Sequence, residues 1–237
     1  MKISNKCAFA ALAIIGAASA ASAQQVTFTN GVKPANFNGG EFIGTYSGGE
    51  LGGRSFGGFC LEILEYITLD TGVYGYEVVS PSDGAIGGNI NNGPASPTGG
   101  DAISNQTGWL FVQWATNRSA LNTIMGTSLS NEEVARRVQW AIWELEDEGT
   151  APAGLSGNVS ALIAQATSAV GGVSKHAAFD PSLNPAFSKL RVVNPFDGTL
   201  ANRGTERQSQ IILIPLPTAS GMALAGLALV GGIRRRK

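Results

Sequence analysis

Two side chains in this 237-residue chain have types and settings that suit chemistry. Cys60, in Phe59-Cys60-Leu61-Glu62, is the only thiol left once the N-terminal leader carrying Cys7 is set aside. Its thiolate is a strong nucleophile, and an unpaired cysteine in an exported protein needs a reason. Gln139 lies in Val138-Gln139-Trp140-Ala141-Ile142-Trp143. At about 100° per residue it sits beside Ala135 and Ile142, with Trp143 one turn further on the same side. A glutamine at the margin of an apolar stripe, flanked by tryptophans, can be shielded from water. Two other readings of Cys60 stand beside this one. It can be a small buried hydrophobe in a purely structural protein, or an enzyme nucleophile with His176 as its base. Glu62 and Glu146 lie close enough to the pair to move protons, although acidic residues of this kind are usually just solvated.

The elements that must carry these residues change character along the chain. Val26-Thr27-Phe28-Thr29, Glu41 to Tyr46, Phe59 to Thr68 and Gly75 to Val79 are rich in β-branched and aromatic residues and read as strands. Gly, Asn and Pro clusters between them supply turns. Pro81 to Gly100 is glycine- and proline-rich and reads as a long loop. From Asp101 the pattern is helical. Trp109 to Trp114 form an apolar segment, and Ser130 with Glu133 makes a capping box ahead of Val134, Val138, Ile142 and Leu145 at helical spacing. A further helix holds Val159, Leu162, Ile163, Ala166 and Val170, and Leu190 to Val193 read as a returning strand. The predicted fold is α+β: a β-rich N-terminal part, sandwich or barrel-like, packed with a helical part.

Phe59-Cys60-Leu61 and Val138-Gln139-x-x-Ile142-Trp143 together resemble the thioester domain of bacterial surface adhesins. That family pairs an aromatic-Cys-aliphatic strand with an apolar-Gln-x-x-apolar-Trp motif on a later helix. Gly108-Trp109-Leu110 on the preceding helix is similar as well. The resemblance implies an internal thioester between Cys60 and Gln139, with Phe59, Trp140 and Trp143 shielding it from water. Gln113 imitates the start of the motif, but Asn117 stands where the tryptophan belongs, and Gln106 lacks the apolar frame. A thioester is a stored electrophile. An amine or hydroxyl of a partner would displace Cys60 and stay attached to the Gln139 acyl group. Each molecule would react once, so the expected role is covalent adhesion or crosslinking rather than enzyme turnover. The two residues are 79 positions apart, so the fold must supply the proximity, which is worth ~7–11 kcal/mol of barrier.

Both ends read as addresses. Residues 1–23 have a basic start at Lys2 and Lys6, an apolar run, and Ala21-Ser22-Ala23 as a cleavage site, the form of a signal peptide. Residues 24–193 are the expected domain and 194–210 a polar stalk. Residues 211–237 begin with a charge-free run long enough for a single transmembrane helix. Pro215-Leu216-Pro217, the apolar run and Arg234-Arg235-Arg236 resemble a PEP-CTERM sorting tail, with Leu216 where that family has glutamate. The resemblance implies an exosortase-type processing enzyme as partner. It also implies transient anchoring in the inner membrane, followed by release to the cell surface or the extracellular matrix. Without the six basic residues of the two ends, the body keeps 10 basic against 17 acidic residues. An acidic body disfavours nucleic acid as a partner. One histidine and two cysteines exclude a multi-ligand zinc site, and no cofactor is expected.

Overall fold

Neighbouring residues along the strands fall into two separate cores, and that alternation shapes the molecule. The computed structural model describes residues 23–37, 39–86 and 100–214. The chain first forms β1 (Gln25–Asn30), β2 (Glu41–Ser47), β3 (Ser55–Cys60) and β4 (Val73–Val79). Four helices follow: α1 (Asn105–Thr116), α2 (Arg118–Met125), α3 (Asn131–Leu145) and α4 (Ala153–Ala169). Two 3-10 turns then lead into β5 (Leu190–Thr199), β6 (Asn202–Glu206) and β7 (Gln210–Leu213). The sheet order is β4-β1-β2-β3-β7-β5-β6, every pairing is antiparallel, and β4 also pairs with β5. That last pairing closes six strands into a barrel and leaves β6 as an outer flap on β5. The fold is α+β, with the β-rich part expected.

Successive residues of a strand point to opposite faces. Val26, Phe28, Phe42, Tyr46, Phe56, Cys60, Tyr76, Val193 and Ile212 therefore form one core with Trp143. Phe59, Val192 and Ile211 face the helices and join α1, α3 and α4 in the other. α3 begins at Ser130, whose hydroxyl accepts from Glu133 N–H at 3.4 Å. The return half of the capping box is replaced, because the Glu133 carboxylate turns to Arg136 and Arg137. α2 was not anticipated, and Gly126, with φ of 64°, ends it.

Three boundaries differ from the sequence expectation. The third strand stops at Cys60 rather than Thr68: Leu61 N–H still bonds Ser209 O, and from Glu62 onward side chains take the backbone groups. Ile63 N–H bonds the Glu148 carboxylate at 3.2 Å, Thr68 N–H bonds the Tyr74 hydroxyl, and Glu62 accepts from Ser209 N–H at 2.9 Å. Residues 194–210 are not a stalk: they complete β5 and supply β6, whose polar residues suit an exposed flap. Arg203 pairs there with Glu77 and Glu206, and Arg207 with Asp197. Ile211 and Ile212, expected at the start of a membrane helix, are 0% and 1% exposed in β7, between β3 and β5. No helix among the described residues is long and apolar enough to cross a membrane. Residues 1–22 of the leader lie outside the described residues. So do Pro215, Pro217, Arg234, Arg235 and Arg236 of the sorting motif.

Candidate functional site

β2 begins at Glu41, opposite Phe59, so Cys60 extends one position beyond the β2–β3 ladder. The side chain of Gln139, from the middle of α3, takes the vacant place. Its Nε2 donates to Cys60 O at 2.7 Å, and its Oε1 accepts from Cys60 N–H at 3.1 Å. Gly40 N–H donates to the same Oε1 at 3.3 Å. The carboxamide thus substitutes for a strand partner and joins α3 to the barrel. Cys60 and Gln139 are both 0% exposed, so a pair 79 positions apart meets away from solvent.

The loop ahead of β2 is shaped around this contact. A Cβ on Gly39 would stand 2.7 Å from Gln139 Cγ and 2.7 Å from Trp143 Cη2, so only glycine fits between them. Gly40 has φ of 104°, a conformation that favours glycine and aims its N–H at Gln139. Glu41 fixes the following turn. Its buried carboxylate accepts from Trp114 Nε1 and Arg118, each at 2.9 Å, and from Val32 N–H at 3.2 Å.

The sulfur has its own partner. Gln210 stands opposite Cys60 in the β3–β7 register and donates Nε2 to Cys60 Sγ at 3.2 Å. Burial pushes the Cys60 thiol well above the ordinary range, and the Gln210 bond works in the opposite direction. Among charges, Glu62 raises it and Lys33 lowers it. Glu62 is itself pushed up to about 8, mainly by burial, against the pull of the Ser209 N–H bond. Glu146 is buried, and burial pushes its carboxyl up to about 7. It accepts from the N–H and hydroxyl of Ser104 at the start of α1, a structural post rather than a neighbour of Gln139.

The aromatic residues divide between the layers. Trp143 is buried in the core that holds Cys60 and packs edge-on against Trp140, with ring centroids 5.1 Å apart. Phe59 lies on the opposite face of β3, where its ring meets Phe111 and Trp114. It therefore packs behind the Cys60 backbone rather than over the sulfur. Outside this wall is an open cleft of about 310 Å³ lined by Asn36, Phe37, Tyr66, Trp140, Trp143 and Gln208. His176 is far more exposed and sits 3.7 Å from Asp147. Gln106 is committed to Val173 O at 2.7 Å. Among the described residues no cluster of three His, Cys, Asp or Glu side chains is arranged to hold a metal.

Gly39, Gly40 and Gln210 were not singled out from the sequence. The Gly39-Gly40 pair directly before β2 was a usable signal. Gln210 looked like part of a polar stalk, and only the strand register reveals it.

No protein-family model and no curated protein matches the chain. Among solved structures, it is similar to the N-terminal thioester domain of a surface protein from Clostridium perfringens. The TM-score is 0.46 and the identity 12%, over 80% of this chain and 97% of that one.

Proposed function

We propose that Cys60 and Gln139 condense into an internal thioester that later captures a nucleophile on a partner. The observation that carries this reading is the clamp on Gln139: a buried carboxamide against Cys60, with its carbonyl oxygen between two backbone N–H donors. Such a pair is an oxyanion hole. As Cys60 Sγ attacks Gln139 Cδ, negative charge grows on Oε1, where Cys60 N–H and Gly40 N–H receive it. The C–N bond then breaks, the thiol proton leaves with the nitrogen as ammonia, and an S–acyl bond remains. In the second reaction an amine or hydroxyl adds to the same carbon, the C–S bond breaks, and the proton returns to Cys60. The partner is then held through a stable amide or ester. The Phe37, Trp140 and Trp143 wall keeps bulk water from the bond, and the cleft outside it gives an approach path.

The protein is thereby a single-use adhesive or crosslinker at the cell surface or in the extracellular matrix, and not an enzyme. Delivery there fits the leader, an exosortase-type processing enzyme and passage through the inner membrane by the tail. Intact mass of fresh protein tests the chemistry. The expected mass is one ammonia below that of the sequence, with Cys60 resistant to alkylation in the denatured state until methylamine opens the bond. Cys60→Ala and Gln139→Ala each abolish the loss. Full sequence mass with a freely alkylated Cys60 removes the thioester and leaves the free-thiol readings, among them the structural one, in which Gln139 merely staples α3 to β3.

A further inference from the structure

Formation and opening of the proposed bond share one difficulty, a negative sulfur in an apolar interior. We propose that Gln210 is a reacting-site residue whose side-chain N–H holds that charge, on the attacking sulfur during closure and on the departing sulfur during capture. This rests on the thioester reading and adds a residue to it.

Gln210 Nε2 lies 3.2 Å from Cys60 Sγ, and both residues are 1% exposed or less. The amide orientation is constrained, because the same Nε2 also donates to Gln208 O at 3.4 Å. That carbonyl cannot accept from the oxygen end of the amide. The backbone around it is zipped to the cysteine segment. Leu61 N–H bonds Ser209 O at 3.0 Å, Gln208 Nε2 bonds Glu62 O at 2.6 Å, and Ser209 N–H bonds the Glu62 carboxylate. Among the described residues Gln210 Oε1 has no hydrogen-bond partner. This last point separates the two glutamines that touch Cys60. Gln139 has its carbonyl oxygen between two donors and is built to become an acyl group. Gln210 has no oxyanion support and offers the sulfur a donor.

The chemistry balances without a further reagent. During capture the acyl carbon passes from Cys60 Sγ to the nucleophile, and the sulfur carries the electron pair of the broken C–S bond. The Gln210 N–H stabilises it until the proton released by the nucleophile arrives. A hydrogen bond to a charged group contributes more than one between neutral groups, so its removal slows the step by about tenfold or more.

The test uses the mature chain with Gln210→Met, which keeps length and volume but lacks the donor, and Gln210→Leu, which likewise has no polar hydrogen to offer the sulfur. Methylamine opening of the closed form is followed by intact mass, with thermal midpoints as a check on folding. The expected result is wild-type protein lacking one ammonia and both variants opening at least about tenfold more slowly. Conversion of a closed wild type and closed variants at one common rate overturns the role of Gln210 and leaves the thioester intact. Absence of ammonia loss in the wild type removes the thioester itself. Ammonia loss that survives Gln139→Ala and disappears in Gln210→Met makes Gln210 the acyl donor and overturns both assignments.

Discussion

Gly39→Ala is the sharpest test of the packing around the carboxamide. The added methyl would stand 2.7 Å from both Gln139 Cγ and Trp143 Cη2, and 3.0 Å from Phe37 Cε1, whereas ordinary contact begins near 3.4 Å. One or both neighbours must yield by about 0.7 Å. Trp143 is braced, with its ring edge-on to Trp140 at 5.1 Å and to Phe37 at 6.0 Å. The Gln139 stem is the softer neighbour, and its amide is carried along. Retreat by the same amount would lengthen the 3.1 Å and 3.3 Å bonds to its oxygen to about 3.8–4.0 Å, beyond hydrogen-bonding distance. Losing one oxyanion donor costs about 10²–10³ in rate, so the proposed thioester closure slows at least about a hundredfold. The stability cost is that of overpacking, about 1–3 kcal/mol. The assay is the fraction of freshly purified protein lacking ammonia, followed over time by intact mass. Gly157→Ala, on α4 with nothing near its added methyl, is the control and leaves closure unchanged. Gly39→Ala closing at the wild-type rate would falsify the account of Oε1 as the site of developing charge.

Three further outcomes follow from the fold. A chain ending at Val193 lacks β6, β7 and the end of β5 and fails to give the cooperative unfolding transition expected of the full chain, read by denaturant melts. Glu41→Ala leaves the buried Trp114 Nε1 without its acceptor and lowers stability by about 1–3 kcal/mol, read as a shift of the denaturant midpoint at constant slope. Stability also depends on pH through Glu62 and Glu146, whose carboxyls are raised to about 8 and about 7 in the folded state. Because these groups hold protons more tightly folded than unfolded, their contribution is complete below the ordinary carboxylate range and is lost as pH rises through 7 and 8. Thermal midpoints therefore fall between about pH 5 and about pH 8. Glu62→Gln removes the upper part of that fall, and an unchanged profile in this variant refutes the assignment.

How far the site was legible depended on whether its signals were local. The periodicity of Val134, Val138, Ile142 and Leu145 placed Gln139 beside the core, and β-branched and aromatic runs located β1, β2 and β4, because such patterns follow from one element meeting one apolar surface. Residues 194–210 misled because an outer flap in a barrel protein is polar and turn-rich, the composition a stalk also has. Ile211 and Ile212 misled because four residues of a strand buried on both faces look like the opening of a longer apolar run. Gln210 was invisible for a different reason. Its partner lies 150 positions away, and only barrel closure brings β7 against β3. The same holds for Gly39 and Gly40, whose function depends on what approaches them.

For the proposed thioester, the burial of this pair would act in opposite directions on storage of the bond and on its formation. A free Cys60 in this core is held as the neutral thiol, because the apolar surroundings raise the cost of its charge. In the proposed thioester the sulfur likewise carries no charge, so burial leaves the closed bond unpenalised while placing an electrophile where water is excluded. The same surroundings oppose the reaction that makes the bond, since the nucleophile is the thiolate. An apolar pocket alone would store a thioester well and form it slowly. In the proposed reaction three N–H donors meet that difficulty, two at Gln139 Oε1 and one at Cys60 Sγ. Removing the donors and leaving the burial should therefore yield a protein that closes slowly yet, once closed, hydrolyses no faster than wild type. Aromatic-wall variants such as Trp143→Ala should do the reverse, losing the acyl group to water. A donor-deficient variant whose closed form hydrolyses faster than wild type would show that storage and activation are not separable in this site.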